Sequence, residues 1–335
     1  MRETADQLIN LGIIGLGYTG RQHLEAAAAI PQVRVAAVAE SQPTALASAP
    51  AALAVYPDWR NLLADADVEA ISVCLPHFLH AEVALAALQA GKHLLIEKPL
   101  ASTLVEAQRI AEAAAATDRV VMVEMTHRFY PPVWKGRELV LTGCLGSIYA
   151  VEEKIVQPVP PEGLPAWMMQ RELAGGGVAL TNGIHMLDRI GWVCGQDLTY
   201  HHGAAGWTQQ QGDVEDTAMM QLSLADGTPV SLLAAWPRTD GPVDDELTVY
   251  GTEGTLRIWA WRGWRFEPML GAPEEESSYP SDADPPARVR VGMTGALREF
   301  ASAVVEGRPA RPSAGEILEI QAIVDRFYRQ VGTGS

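Results

Sequence analysis

Cysteine is scarce in this sequence. Three of the 335 residues are cysteines, at positions 74, 144 and 194, and they are far apart in the chain. There is neither a Cys-x-x-Cys pair nor a Cys/His cluster, so the sequence predicts neither a disulfide framework nor a structural zinc site. Long apolar runs are also absent: no stretch of about 18 uninterrupted apolar residues occurs, and we therefore expect no membrane span.

Basic residues are in the minority. The chain carries 25 Lys and Arg against 41 Asp and Glu, a net charge of −16, which argues against nucleic acid or an anionic membrane as the main partner. The first ten residues, MRETADQLIN, are polar and charged, unlike a secretory signal peptide. These features lead us to expect a cytoplasmic protein that acts on a small molecule.

Residues 8–125 alternate short apolar runs with helical stretches. The strand-like runs are LINLGII, VRVAAVAE, AISVCL, HLLIE and VVMVEM, and between them lie alanine-rich segments such as HAEVALAALQAG. Strands that are apolar throughout and separated by helices predict a parallel sheet with both faces covered. The first domain, residues 1–126, is therefore predicted to be a doubly wound α/β domain.

The pattern changes at about residue 126. A helix over 131–142 and a strand in GSIYAVEEKIV precede a Pro-rich loop at 157–165. Two hairpins are expected further on, around Asp226-Gly227 and around Glu253-Gly254. We expect an exposed loop at 268–288 and two final helices, 293–306 and 314–330. Residues 127–335 are thus predicted to form one α+β domain with a large, mostly antiparallel open sheet.

A glycine-rich loop joins the first strand to a helix. The sequence GIIGLGYTG contains a G-x-G-x-x-G motif that follows an apolar strand and opens a helical segment, which is the context a dinucleotide site requires. Its first glycine permits a tight turn, its second allows close approach of a pyrophosphate, and its third allows close packing of helix and strand. The motif consists of Gly15, Leu16, Gly17, Tyr18, Thr19 and Gly20.

The second strand ends in an acidic residue, Glu40, twenty residues after Gly20. A carboxylate there accepts hydrogen bonds from both ribose hydroxyls and repels a 2′-phosphate. Since no arginine adjoins it, the sequence favours NAD over NADP as the cofactor.

Lys98 follows the strand HLLIE directly, in the sequence Glu97-Lys98-Pro99. Ligands of doubly wound folds bind at the carboxyl ends of the strands, so we expect Lys98 to point toward the cofactor. A lysine beside the nicotinamide can stabilise a developing alkoxide and, with a lowered pKa, can share in the proton transfer.

The chain resembles the Gfo/Idh/MocA oxidoreductases. The resemblance is carried by GIIGLGYTG, by CLPHFLHAEVALAALQAGKHLLIEKP (74–99), by GGGVALTNGIHMLD (175–188) and by YGTEGTLRI (250–258). It implies a Rossmann domain followed by a domain with a large open sheet, which in relatives often forms an oligomer interface. It also implies hydride transfer between NAD(P) and a hydroxyl-bearing carbon, most often of a sugar, inositol or other polyol.

The resemblance assigns roles to individual positions. Lys98 matches the family's active-site lysine and His185 its active-site histidine, and Glu97 matches a position that contacts the cofactor. The positions that match residues lining the nicotinamide side of the cofactor are Leu75, Pro76, His77 and His80.

The position four residues before His185 departs from the family pattern. Many relatives carry an aspartate there, whereas this chain has Thr181. On a helix the two side chains share one face, but a hydroxyl cannot stabilise an imidazolium as a carboxylate does. His185 is therefore expected to act more as a hydrogen-bonding partner than as the principal base. Asn182 or Asp188 could replace the missing carboxylate, although Asp188 more readily braces the helix.

Further residues are candidates for substrate binding. Arg128, just after a strand, either binds a substrate hydroxyl or carboxylate or joins the two domains. Trp167 either stacks on a sugar face or serves as a packing anchor. Thr181 and Asn182 complete the substrate-binding set. His201 and His202 are neighbours that would point to opposite faces of a strand, so no metal site is assigned.

The sequence thus predicts an NAD-dependent oxidoreductase acting on a secondary alcohol or ketone carbon of a sugar, inositol or related polyol, assembled as a homodimer or homotetramer through the second-domain sheet. Two alternatives remain open: a glycoside hydrolase that uses tightly held NAD in an oxidise–eliminate–reduce cycle, and a dinucleotide sensor without turnover.

Overall fold

A computed structural model describes residues 8–159, 163–208, 212–239, 241–277 and 285–332. The first seven residues, and parts of the loops predicted at 157–165 and 268–288, lie outside these ranges. In the described part of the chain, no helix is both long enough and apolar enough to cross a bilayer.

The chain forms fourteen strands and ten α-helices among the described residues, and the bounds follow in chain order. The strands are β1 Ile9–Ile14, β2 Val33–Ala39, β3 Ala54–Tyr56, β4 Ala70–Val73, β5 His93–Glu97, β6 Val121–Glu124, β7 Ile148–Val156, β8 Leu198–Gly206, β9 Thr217–Leu224, β10 Pro229–Ala235, β11 Asp244–Gly251, β12 Gly254–Trp259, β13 Gly263–Pro268 and β14 Glu274–Ser277. The helices are α1 Tyr18–Ala27, α2 Pro43–Leu46, α3 Trp59–Leu63, α4 His80–Gln89, α5 Leu104–Ala115, α6 Pro131–Leu141, α7 Arg171–Ala174, α8 Ile184–Cys194, α9 Pro285–Glu306 and α10 Ala314–Val331.

Two compact units divide the chain. The first comprises residues 1–126 and 285–318, and the second comprises residues 127–284 and 319–335, so that the division also passes through α10. The sequence placed 285–318 in the second domain. In the structure α9 packs against α1, and Arg290 binds Glu25 of α1 at 2.9 Å. Residue Pro312 accepts a hydrogen bond from the Val123 amide at the end of β6.

The first unit contains the predicted parallel sheet. Its six strands lie in the order β3-β2-β1-β4-β5-β6, and every pair of neighbours is parallel. Strands β4 and β6 are buried along their whole length, as expected when both faces of a parallel sheet are covered. Five of the six strands match the predicted runs; the short edge strand β3 was not predicted. The doubly wound α/β class is confirmed.

The second unit contains an eight-stranded sheet in the order β14-β13-β12-β11-β7-β10-β9-β8. All neighbours are antiparallel except β7 and β10, so the prediction of a mostly antiparallel sheet is confirmed. Buried residues alternate with exposed or half-buried ones along β9, β10 and β12, which is the pattern of a sheet with one face in the core. Both predicted hairpins are present, as β9–β10 and β11–β12.

The prediction of a loop at 268–288 is wrong for two of its parts. Residues 274–277 form the edge strand β14, paired with β13, and α9 begins at Pro285 rather than at 293. The acidic, Pro-rich composition hid both elements. Charged residues suit an edge strand, and proline fits the first turn of a helix, where an amide donor is not needed.

A buried arginine fixes α8 on the second sheet. Arg189 has no exposed side-chain surface and binds Glu153 of β7 and Asp245 of β11, the latter at 2.6 Å. The helix ends at Gly195, whose φ of +66° is the left-handed conformation that glycine tolerates. Its position on the sheet is therefore set by a two-carboxylate anchor at mid-helix.

Candidate functional site

The glycine-rich loop has the geometry of a dinucleotide loop. Gly15 has a φ of +96°, and a Cβ atom there would lie 2.3 Å from the Cys74 carbonyl oxygen. A Cβ on Gly20 would lie 1.9 Å from the Gly15 carbonyl oxygen, so the helix could not approach the loop as closely with another residue. A Cβ on Gly17 would meet no atom within 4 Å. Gly15 and Gly20 are thus required by close packing within the fold, whereas Gly17 leaves open space beside the backbone.

The amino terminus of α1 suits a diphosphate. Gly17 is its N-cap residue, no side chain caps it, and no acidic residue occupies the first turn. Tyr18 at this terminus is exposed. The first turn of a helix presents amide donors and the positive end of the helix dipole, so an anion is favoured there. The residues present therefore fit the pyrophosphate of a dinucleotide.

Glu40 is held at the carboxyl end of β2 by two amide donors. Its Oε2 accepts a hydrogen bond from Leu16 N–H at 2.8 Å, and its Oε1 accepts one from Gln42 N–H at 2.8 Å. A carboxylate has about four acceptor positions, so acceptors remain for the two ribose hydroxyls. The contact with Leu16 also gives Glu40 a second task, which is to fix the glycine-rich loop.

The turn after β4 is braced by His80. This ring is fully buried, and its nitrogens lie 2.8 Å from the carbonyl oxygens of Leu75 and Pro99. Burial lowers the pKa of His80, although the two carbonyl oxygens oppose the shift. His77 is also buried and contacts the His80 ring edge-on, whereas Leu75 and Pro76 remain partly exposed. His80 therefore links the turns that follow β4 and β5.

Lys98 lies at the carboxyl end of β5, as predicted. Its side chain is partly exposed, and burial lowers the pKa of its amine, although the Glu97 carboxylate opposes this shift. The Lys98 amide donates a hydrogen bond to Glu97 Oε2 at 3.2 Å. A lysine with a lowered pKa supplies more neutral amine near neutral pH, which is the form that accepts a proton.

Glu97 belongs to a buried ionic cluster that was not predicted. His23 Nε2 lies 2.7 Å from Glu124 Oε2 and 3.3 Å from Glu97 Oε1, and His23 Nδ1 lies 2.9 Å from Ser72 Oγ. Burial opposes charge on the His23 ring, but the Cys74 sulfur and the Glu124 carboxylate outweigh it and raise the pKa of His23 well above its usual value. The sequence-based view of His23 as a packing residue missed this charge. The three groups are types that also bind metals, but their separations are those of a direct ion pair.

Three consecutive glycines form the turn before the His185 segment in the second unit. Gly175 ends α7 with a φ of +85°, a Cβ on Gly176 would lie 1.9 Å from the Tyr328 hydroxyl, and a Cβ on Gly177 would lie 1.9 Å from the Glu215 carbonyl oxygen. The first glycine is thus required by conformation, and the other two by close approach.

Glu215 holds this turn through its side-chain carboxylate. Its buried carboxylate accepts hydrogen bonds from the amides of Gly177 and Ala179, the shortest at 2.9 Å, and from the Tyr328 hydroxyl at 2.8 Å. Burial raises the pKa of Glu215, while these donors oppose the shift. The motif was noticed in the sequence for its glycines, but nothing near it pointed to a partner 38 residues away.

The segment between the glycines and His185 is a single π-helical turn, Ala179–Gly183, which leads directly into α8. The prediction that Thr181 and His185 lie on a helical segment is confirmed, with wider winding than an α-helix. Thr181 is partly exposed, and His185 is buried in the first turn of α8. Single π-turns often occur at functional sites.

His185 stacks on a second histidine that the sequence did not indicate. The rings of His127 and His185 have centroids 4.4 Å apart and planes 13° apart. Tyr130 and Trp261 contact the His127 ring edge-on, at 5.8 and 6.0 Å. His127 adjoins Arg128 in the sequence, yet no spacing rule connects it with a helix 58 residues further on.

Two of the proposed substrate-binding residues are engaged by protein groups. Arg128 donates to both carboxylate oxygens of Asp188, with the shortest contact at 2.6 Å, and both residues are buried in the second unit. Asn182 donates to Gln157 Oε1 and accepts from Trp236 Nε1, both at 2.8 Å. Asp188 and Asn182 therefore have partners other than His185. Their place in substrate binding stays a prediction.

The remaining candidates are found at separate positions. Trp167 lies half-buried in a short 3₁₀ turn, Ala166–Met169, before the triple glycine. His201 contacts Ser223 Oγ at 2.9 Å, and His202 contacts Gln330 at 2.8 Å, so the two neighbours bind different partners as the strand geometry predicted.

Two family models match this chain. One, described as an oxidoreductase family with an NAD-binding Rossmann fold, matches residues 9–125, and the other, described as the GFO/IDH/MocA C-terminal domain, matches residues 133–257. Together they span most of the chain, including the whole first sheet and most of the second.

Individual relatives agree with these models. A levoglucosan dehydrogenase of Pseudarthrobacter phenanthrenivorans is 27% identical over 287 residues, which cover 75% of this chain and 73% of the relative. A myo-inositol 2-dehydrogenase of Thermotoga maritima is 26% identical over 256 residues, 74% of each chain. A solved structure of levoglucosan dehydrogenase in complex with NADH and levoglucosan has a TM-score of 0.87 at 24% identity, covering 97% of both chains, and shows the shared fold.

Proposed function

The chain belongs to the Gfo/Idh/MocA family of oxidoreductases, and on that basis we propose that it is an NAD-dependent dehydrogenase of a sugar, inositol or related polyol. The observation that carries the proposal is the position of Lys98. Its pKa is lowered, it follows a parallel strand directly, and it lies in the same unit as a glycine-rich loop that suits a dinucleotide. The relatives named above act on a sugar anhydride and on an inositol, which supports a polyhydroxylated substrate.

NAD is the cofactor that the first unit favours. The space beside Gly17 and the uncapped start of α1 suit the pyrophosphate, and Glu40 suits the ribose hydroxyls. A 2′-phosphate would place a second negative charge against the Glu40 carboxylate, which disfavours NADP. The backbone of Leu16 and the turn at Leu75 to His80 would hold the remainder of the cofactor.

Lys98 would transfer the proton. The nicotinamide, when bound, accepts a hydride from the alcohol carbon or returns one to a ketone. In oxidation the neutral Lys98 amine takes the hydroxyl proton, so that the carbonyl forms as the C–H bond breaks; in reduction the ammonium returns that proton to the oxygen. Glu97 keeps the Lys98 backbone in place through its hydrogen bond to the Lys98 amide.

His185 would hydrogen-bond the substrate oxygen without being the principal base. Its segment offers Thr181 instead of the carboxylate that would stabilise an imidazolium, and the stack with His127 restrains its ring. Thr181 and Trp167 are the substrate-side candidates that remain partly exposed in the second unit. Arg128, through its contact with Asp188, and Asn182, through its contact with Trp236, would position the substrate-side residues.

The test is turnover. Absorbance at 340 nm is followed while NAD or NADP is offered with a panel of sugars, inositols and sugar acids, and NADH is then offered with their keto counterparts. NADH formation that is faster with NAD than with NADP supports the proposal. Release of free sugar from glycosides without net formation of NADH identifies the hydrolase instead. No turnover with any compound of the panel, while calorimetry confirms NAD binding, identifies the sensor.

The eight-stranded sheet would form the interface of a homodimer or homotetramer. Its uncovered face carries apolar side chains, among them the cross-strand pair of the exposed Met219 and the partly exposed Leu233. Exposed apolar residues on a sheet face favour burial against a second copy. The three cysteines, all unpaired with one another, suit a reducing compartment, so we place the protein in the cytoplasm.

A further inference from the structure

His127 and His185 form a closely stacked pair in the second unit. Their ring centroids lie 4.4 Å apart, their planes differ by 13°, and each residue exposes less than a tenth of its surface. A stacked neighbour covers the face of a ring but leaves its edge clear. Both nitrogens of an imidazole lie on that edge, so the stack restrains His185 without occupying the atoms that hydrogen-bond.

Aromatic side chains fix His127 in turn. Tyr130, which is 1% exposed, meets the His127 ring at 63°, and Trp261 meets it at 84°. Tyr130 and Trp261 also contact each other edge-on, at 6.5 Å. Edge-to-face contacts of this kind are favourable and directional. The ring of His127 is therefore a fixed surface on which His185 rests.

A neighbouring ion pair sets the register of this contact. Arg128 follows His127 directly, and Asp188 lies one helical turn after His185, so the stack and the Arg128–Asp188 pair join the same two segments side by side. The Arg128–Asp188 ion pair is bidentate and both partners are buried, so its geometry is specific. The turn that carries His127 thus cannot slide along α8 without breaking the ion pair.

We propose that His127 is a positioning residue for His185: the stack orients the His185 imidazole in a segment where Thr181 stands in place of the carboxylate four residues upstream. The proposal rests on the function proposed above, in which His185 hydrogen-bonds the substrate oxygen. Free rotation of the His185 ring would move its nitrogens away from that oxygen, and small misplacements of catalytic groups are costly.

The test compares three variants at position 127 with an exposed control, His202→Ala, whose ring contacts Gln330. His127→Ala removes the stack, His127→Leu fills the volume without a flat ring, and His127→Phe keeps a flat ring. We expect kcat/KM to fall by about 10–100-fold in the alanine and leucine variants, with NAD affinity unchanged. The phenylalanine variant should stay within about threefold of the wild type, because it can still stack.

A crystal structure of the His127→Leu variant supplies a readout that does not need turnover. A His185 ring that is rotated or split between conformers supports the proposal. An unchanged ring, or equal activity in the leucine and phenylalanine variants, overturns it. If the wild type itself oxidises no substrate, the proposed function fails on its own, and the orientation of the His185 ring still decides the role of His127.

Discussion

At the scale of single residues, the chemistry depends on groups whose pKa values are shifted by their surroundings. Burial lowers the pKa of Lys98 and, in the same unit, raises the pKa of Glu124 to about 7. Burial disfavours the charged form of both residues. It therefore lowers the pKa of a lysine, whose charged form is protonated, and raises the pKa of a glutamate, whose charged form is deprotonated. Each shift leads to a pH-dependent prediction.

Replacing Lys98 should remove the proton acceptor. For Lys98→Met we expect kcat for alcohol oxidation to fall by about 10²–10⁴-fold, the usual contribution of a general base. In the wild type, kcat/KM should rise with pH as Lys98 loses its proton, and the variant should lack this rise. Initial rates between pH 5 and pH 10 measure both effects, with the partly exposed Lys135→Met, whose amine pairs with Glu138, as control. An unchanged pH profile in Lys98→Met would show that another group takes the proton.

The His23–Glu97–Glu124 cluster should make stability depend on pH. Burial raises the pKa of Glu124 to about 7 from its usual 4.5, while His23 beside it opposes the shift, so the folded protein binds this proton more tightly than the unfolded chain. The resulting stabilisation is complete below about pH 4.5 and is lost as pH rises through about 7.

For Glu124→Gln, which resembles the protonated carboxyl, we expect a flatter stability profile. Between pH 5.5 and pH 8 the wild type should lose on the order of 2 kcal/mol more unfolding free energy than the variant does, from about 1.4 kcal/mol per pH unit. Denaturant unfolding at several pH values measures the difference. Parallel profiles for the two proteins would mean that Glu124 is ionised over the whole range.

At the scale of elements, the two glycine-rich turns were identified from sequence, but the reasons for individual glycines were not all visible there. The G-x-G-x-x-G motif has known spacing rules, and the roles of Gly15, Gly17 and Gly20 were predicted from them. The triple glycine has no such rule: the close neighbours of Gly176 and Gly177 come from Tyr328 and Glu215, which lie far away in the chain.

The open space beside Gly17 gives a prediction that separates binding from folding. In Gly17→Ala the added methyl group meets no atom within 4 Å, so we expect unchanged thermal stability but weakened NAD binding, because the methyl group would occupy the approach of the pyrophosphate. In Gly20→Ala the methyl group would lie 1.9 Å from a carbonyl oxygen, and folding itself should suffer. Calorimetric titration with NAD and thermal melts measure the two effects. Wild-type NAD affinity in Gly17→Ala would place the pyrophosphate elsewhere.

The triple glycine allows a matched comparison within one segment. We expect Gly177→Ala to lose about 1–3 kcal/mol of unfolding free energy, the usual cost of overpacking, because its Cβ would lie 1.9 Å from the Glu215 carbonyl oxygen. Gly183→Ala should be neutral or slightly stabilising, since its nearest atom would lie at 3.7 Å. Chemical unfolding of both variants tests the contrast, and equal stabilities would contradict the tight turn.

The elements that sequence reasoning missed share a physical cause. Strand β3 is three residues long and lies at a sheet edge, β14 is acidic, and the first turns of α9 begin with two prolines. Apolar periodicity marks elements that bury one face, and it is weak where an element is short or lies at an edge. The buried strands β1, β4, β5 and β6, in contrast, follow their apolar runs closely.

At the scale of the whole molecule, contacts between residues distant in sequence determine which elements pack together, and composition does not reveal these contacts. The return of residues 285–318 to the first unit depends on α9 packing against α1, about 270 residues earlier. No periodicity in α9 identifies that partner. The stack of His127 on His185 and the hydrogen bonds from Gly177 to Glu215 are contacts of the same kind, so sequence reasoning missed these supporting residues, whereas Lys98 and His185 could be proposed from their motifs.

The uncovered face of the second sheet predicts the oligomeric state. Met219 and Leu233 are directly opposite each other on β9 and β10, and Leu233 is also opposite Lys154 on β7. For Met219→Glu combined with Leu233→Glu we expect dissociation to a monomer, because two carboxylates would be buried at the interface. Size-exclusion chromatography with light scattering compares these variants with wild type. A wild-type monomer, or an unchanged oligomer in the double variant, would contradict an interface on this face.

The transfer of hydride from a substrate carbon to NAD can be followed directly with carbon-deuterated substrates. The protein is incubated with NAD and with uniformly carbon-deuterated glucose, inositol or the best substrate of the panel, and the cofactor is analysed by mass spectrometry. The account predicts a reduced cofactor that carries a single deuterium from the substrate and forms more slowly than with the unlabelled compound. A reduced cofactor without deuterium, or substrate conversion that leaves NAD unreduced, would contradict it.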